Sequence, residues 1–232
     1  MTSLSCARQG LAANRPAGVA GRALRERCRG FDSLERQKAA AILLAACTAT
    51  VLWLVPHIAQ AHIIHGNAGG FGSGFEHPLT GPDHFLAMFA VGLWGAQMGG
   101  RPVWTLPVAF PLIMVGGGIL GILGIPIPGI ETGIALSVIA LGTAIAFAWH
   151  PPEWVALLLI GIFAVFHGHA HGTELPRAAD PADYAIGFVV ATGMIHVIGI
   201  GVGLGLNRLH GGKLARALGA AIALGGVYFL VA

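Results

Sequence analysis

Charge is scarce in this chain: 10% of its 232 residues are Asp, Glu, Lys or Arg, against about a quarter in a soluble globular protein. With a mean hydropathy of +0.76, this excludes a soluble domain. A fold of this length has too little interior to hide so much apolar chain, so a bilayer has to act as part of its solvent. Cysteine is nearly absent. The three present, Cys6, Cys28 and Cys47, all precede residue 62, which leaves the rest without a disulfide framework or a thiolate metal site. No Gly-x4-Gly-Lys-Ser/Thr segment occurs, so ATP hydrolysis by a phosphate-binding loop is ruled out. Gly116-Gly117-Gly118-Ile119-Leu120-Gly121 has the spacing of a dinucleotide fingerprint. It lies inside an apolar run with no preceding strand, which removes that reading as well. Beyond the start of the chain, even basic charge is lacking. Residues 1–61 hold eight basic and three acidic residues, a net of +5, and residues 62–232 hold five basic and seven acidic, a net of −2. No basic surface for nucleic acid remains in the apolar part.

The basic start has the order of an export signal. A charged stretch ending at Lys38 leads into the apolar run 39–55, then a polar break and Ala59-Gln60-Ala61. That order predicts a leader over 1–61 with cleavage before His62. An uncleaved first helix, or lipoprotein processing at Leu44-Ala45-Ala46-Cys47, are the competing fates. Six apolar stretches follow, near 83–99, 103–124, 130–149, 153–171, 182–206 and 214–231, each close to the roughly 20 residues a bilayer crossing takes. Gly- and Pro-rich breaks separate them, among them Gly99-Gly100-Arg101-Pro102, Pro126-Ile127-Pro128-Gly129 and His150-Pro151-Pro152. The expected architecture is therefore all-α, a polytopic bundle of six transmembrane helices over 62–232. Glycines four apart (Gly95 and Gly99, Gly117 and Gly121, Gly199 and Gly203, Gly201 and Gly205) are candidates for close helix approach. A cleaved leader puts both mature termini on the periplasmic side of a bacterial inner membrane. Arg101, Arg208, Lys213 and Arg216 then fall at cytoplasmic ends, with Arg177 alone outside, in keeping with the positive-inside rule.

Histidine, by contrast, is plentiful, with 11 residues, and two clusters carry chemistry. Glu76-His77-Pro78-Leu79-Thr80-Gly81-Pro82-Asp83-His84 runs into the first span. Pro82 suits a first helical turn and Asp83 matches the positive end of the helix dipole, which accounts for Asp83 but not for the two histidines. At the end of the fourth span stands Phe166-His167-Gly168-His169-Ala170-His171-Gly172-Thr173-Glu174. A continuous helix puts His167, His171 and Glu174 on one face at i, i+4 and i+7 and turns His169 elsewhere. Both clusters, with Glu131, Asp180 and Asp183, fall on the same side of the membrane. Imidazole with carboxylate and no thiolate suits nickel, cobalt, zinc or ferrous iron, and ionisable groups within a membrane span point to function. His196, in mid-span, is either a deeper relay ligand or a histidine satisfied by a backbone carbonyl. His62 and His65 could chelate at a new N-terminus, whereas His150 and His210 read as loop residues.

In this order and on these spans, HPLTGPDH and FHGHAHGTE resemble the two signature elements of the HupE/UreJ family of hydrogenase and urease accessory proteins. GLWGAQMGG and PGIETGIALSV have the same character, and the resemblance covers essentially 62–232. The long arginine-rich leader departs from it. The first element is also analogous to the His-x4-Asp-His signature of larger nickel/cobalt transporters, with one residue more. The resemblance implies six mature helices, a cleaved signal and uptake of Ni²⁺ into the cytoplasm for nickel-enzyme maturation. His77, Asp83, His84, His167, His171 and Glu174 would be its functional set. The expected function is thus a secondary or facilitative permease for Ni²⁺ or Co²⁺ as transported ion, with no prosthetic group. His169 is a further ligand candidate, and Glu76, Glu131, His196, His62 and His65 are candidates for the ion path. The competing classes are a membrane metalloenzyme with a His-held zinc or di-iron centre, and a metal-binding accessory protein without flux.

Overall fold

The computed structural model describes residues 70–175 and 179–232. The leader 1–61 with its cleavage site, His62, His65, Arg177 and the His210 side chain lie outside the described residues. Among the described residues the fold is entirely helical: α1 Gly70–Thr80, α2 Pro82–Met98, α3 Pro102–Ile122, α4 Ile130–Ala146, α5 Glu153–Thr173, α6 Pro181–Arg208 and α7 Lys213–Val231, with one 3₁₀ turn before α7. A helix occupies each of the six expected apolar stretches. Prolines open α2, α3 and α6, where the missing N–H has no helical partner to lose. Left-handed Gly129 and Gly212 precede α4 and α7.

Helices α3, α5, α6 and α7 are long and apolar enough to cross a membrane. The 17-residue α2 and α4 reach about 25 Å at 1.5 Å per residue, a little less than the hydrocarbon thickness. Every residue of α2 from Ala87 to Ala96 is buried, so this helix, apolar all round, is the hub of the bundle. Large apolar side chains point outward instead: Leu112, Phe147, Trp154 and Leu224 are each more than two-thirds exposed. A soluble protein hides such residues; here they form the lipid-facing surface of a membrane protein.

Helix α3 lies along α5, α4 along α7, and α6 against both α1 and α2. Glycine makes the first of these contacts possible, since a Cβ at Gly168 or Gly172 would run into the carbonyl of Met114 or Gly118. Of the expected glycine pairs, Gly117 and Gly121 do meet α5, and Gly199 and Gly203 meet α2. A Cβ at Gly201 or Gly205 would meet nothing within 4 Å, and Gly99 instead ends α2 with φ +71°.

Helix α1 is not legible as a helix in the sequence. Its residues, GFGSGFEHPLT, include three glycines and an internal proline, a poor helix former by intrinsic preference. Packing supplies what propensity lacks: Gly74 sits on the Tyr184 carbonyl and Gly187 on that of Phe71, locking α1 to the start of α6. The chain then breaks at Gly81, whose extended backbone (φ −84°, ψ 105°) separates α1 from α2.

Candidate metal site

The break at Gly81 puts the last turn of α1 beside the first turn of α2, so His77 and His84 approach each other with ring centroids 5.9 Å apart. The end of α5 supplies the third partner. The His171 ring lies 4.6 Å from that of His77 and 4.5 Å from that of His84. One nitrogen from each of these three imidazoles falls within 4.8 Å of the others. The i, i+4 spacing holds: His167 sits one turn deeper on α5, 5.1 Å from His84 ring to ring.

Carboxylates orient this set from its edge. The Asp83 Oδ1 accepts from the His84 backbone N–H and from His84 Nδ1, both at 2.8 Å. The proton of His84 is thereby held on Nδ1, leaving the Nε2 lone pair toward the cluster, the carboxylate–histidine arrangement common at metal sites. Asp83 therefore acts on the site through His84. Glu174, just past the end of α5, lies 3.2 Å from His77 Nε2, and this hydrogen bond holds its carboxyl below the ordinary value against the opposing effect of partial burial. Glu76 is exposed on α1, and Glu131, Asp180 and Asp183 line the same end of the molecule.

His169 turns away, as its position on the helix requires. Its Nε2 bonds the Ile125 carbonyl at 2.7 Å, tying the α3–α4 connection to α5. His150 bonds the carbonyls of Ala148 and Gln97 at the opposite end of the bundle. His196 gives its Nδ1 to the Pro107 carbonyl at 3.0 Å, so one nitrogen is satisfied by the backbone and the other is not. Three aromatic neighbours carried no warning in the sequence. Phe188 packs its ring 4.0 Å from that of His171, Tyr184 lies 6.4 Å from His77, and Phe110 touches His167 at 5.5 Å. The spacing of Tyr184 and Phe188, one turn apart on α6, could have been noticed; what they face could not.

The buried nitrogens give the cluster its chemical meaning. His84 Nε2, His167 Nε2 and both nitrogens of His171 are buried with no hydrogen-bond partner among the described residues. Each buried polar atom left unpaired costs about 1–3 kcal/mol. Converging imidazole nitrogens with a nearby carboxylate form a donor set fitted to a borderline divalent cation. Charge among the described residues is polarised to match. Six carboxylates (Glu76, Asp83, Glu131, Glu174, Asp180 and Asp183) lie at the histidine end, while Arg101, Arg208, Lys213 and Arg216 lie at the other, with Glu153 near Arg101.

Comparison with known proteins agrees in extent. A family model described as HupE / UreJ protein matches residues 50–229. A curated relative, Protein HupE of Rhizobium leguminosarum bv. viciae, is 47% identical over 178 residues, covering 76% of this chain and 92% of its own. No solved structure matches.

Proposed function

The chain belongs to the HupE/UreJ family, and on that premise we propose that it is a hydrogenase or urease accessory permease that carries Ni²⁺, or Co²⁺, into the cytoplasm. The observation that carries the reading is the buried, unpartnered face of His84 and His171 beside His77. Such a face offers replacement ligands for a partly dehydrated cation, and the surrounding carboxylates offset its charge. Three imidazoles without a directly converging thiolate bind with moderate strength, and a permease has to let its ion go. The orientation proposed puts the carboxylate-rich histidine end in the periplasm and the four basic residues at the cytoplasmic face of the inner membrane. Asp83 orients His84, Glu174 orients His77, and His167 stands ready to take the ion one turn further in.

The test is accumulation of ⁶³Ni²⁺ in cells lacking their own nickel importers, with His84→Ala and His171→Ala variants at matched membrane levels. Saturable uptake that drops at least tenfold in both variants is expected, with Co²⁺ competing more strongly than Mg²⁺. Absence of uptake by the correctly inserted wild-type chain would sink the permease reading. If the purified protein then kept near-stoichiometric zinc or iron through chelator treatment, a metalloenzyme would take its place.

A further inference from the structure

The donors do not stop at the outer cluster. His196, near the middle of the 28-residue α6, is 1% exposed, and its setting is built by a neighbouring helix. Pro111 has no N–H, so the carbonyl of Pro107, four residues earlier in α3, has no helical partner. His196 Nδ1–H donates to that carbonyl at 3.0 Å. The bond satisfies the backbone and holds the proton on Nδ1, which leaves a lone pair on Nε2. That Nε2 is buried and has no hydrogen-bond partner among the described residues. Capping Pro107 requires only Nδ1, so the capping role leaves Nε2 unexplained. A carbonyl on one ring nitrogen and a free lone pair on the other is how a metal-binding histidine is usually prepared.

Two lines of side chains join this residue to the outer cluster. On one, His167 contacts Phe110 at 5.5 Å and Phe110 contacts His196 at 5.6 Å, ring to ring. On the other, Met88 lies one turn beyond His84 on α2, and Thr192 one turn before His196 on α6. Thr192 Oγ1–H donates to Met88 Sδ at 3.3 Å, with both side chains fully buried. Resting on the permease reading, we propose that His196 Nε2, with the Met88 thioether and the Thr192 hydroxyl above it, is a second, deeper station for the divalent cation, reached from the outer cluster past the Phe110 ring. The set holds one strong neutral ligand and no carboxylate. It gives a borderline cation a brief stop rather than a resting place, as a multi-site path requires.

The two asparagine and glutamine substitutions separate ligand from scaffold. In His196→Asn the amide can keep the bond to Pro107 but leaves the Nε2 position empty of a donor. In His196→Gln the longer amide reaches the Nε2 position and gives up the Pro107 bond. Binding of ⁶³Ni²⁺ to the solubilised full-length chain and ⁶³Ni²⁺ flux in proteoliposomes are measured for each. A deeper station predicts outer-site binding within threefold of wild type for both, flux at least tenfold lower for His196→Asn, and a smaller loss for His196→Gln. A purely structural His196 reverses that order, with His196→Asn the better carrier, and this overturns the proposal, as does wild-type flux in both. Wild-type protein that binds Ni²⁺ but carries none overturns the permease reading itself, and the station with it.

Discussion

A carboxylate beside an imidazole decides which ring nitrogen is free, and Asp83 makes that decision for His84. Asp83→Asn keeps an oxygen acceptor but removes the charge that favours the imidazole's Nδ1–H. Nickel affinity in equilibrium dialysis is expected to fall roughly 10- to 100-fold, the range for removing an orienting partner. His169 gives the opposite case. Its bond to the Ile125 carbonyl makes it a tie between segments, so His169→Asn is expected to keep ⁶³Ni²⁺ uptake within about twofold while His171→Ala abolishes it. Protons compete with metal for the same lone pairs. Because a protonated imidazole cannot ligate, capture measured in proteoliposomes at fixed membrane potential should fall as the outer medium is acidified. Capture that rises toward pH 5 would contradict a histidine-based site.

At the scale of elements, the site exists because four helix segments end or begin in one place. Helix α1 brings His77, α2 brings His84, α5 brings His171, and α6 closes the back with Tyr184 and Phe188. The α3–α5 contact sets the depth of His167 and His171, and it depends on Gly168 lying against the Met114 carbonyl. Gly168→Ala forces these helices apart, at an expected cost of about 1–3 kcal/mol as for other overpacked contacts, seen as a lower melting temperature in detergent. Gly201→Ala, where a Cβ meets nothing within 4 Å, should leave the melting temperature unchanged or slightly raised through better helix propensity.

Over the whole molecule, the separation of charge defines an axis: carboxylates and histidines at one end, the described basic residues at the other. Exposed Trp104 and Trp154 and half-exposed Trp149 mark the basic end, as aromatic side chains do at membrane interfaces. A chain with its three cysteines replaced by serine gives a direct reading of the axis. A cysteine at Glu76 should react with an impermeant maleimide from outside intact spheroplasts, and one at Arg208 only after lysis. The reverse pattern would turn the bundle over and make the histidine end an exit.

The sequence by itself determined the all-helical bundle, six of its seven described helices and the two histidine motifs at one end of it, because apolar run length, proline and glycine breaks and a four-residue helical repeat are local properties. It also anticipated that His169 leaves the face shared by His167 and His171. Tertiary structure alone decided the rest. Helix α1 forms against its own propensity because α6 receives its glycines, and only that packing brings His77 to His171. Which carboxylate touches which imidazole, and which nitrogens are left bare, depends on distances across α1, α2 and α5. The two readings of His196 could not be separated in one dimension. Its backbone partner is a carbonyl released by a proline 85 residues earlier, on a different helix, and a contact of that kind leaves no periodic trace in the chain.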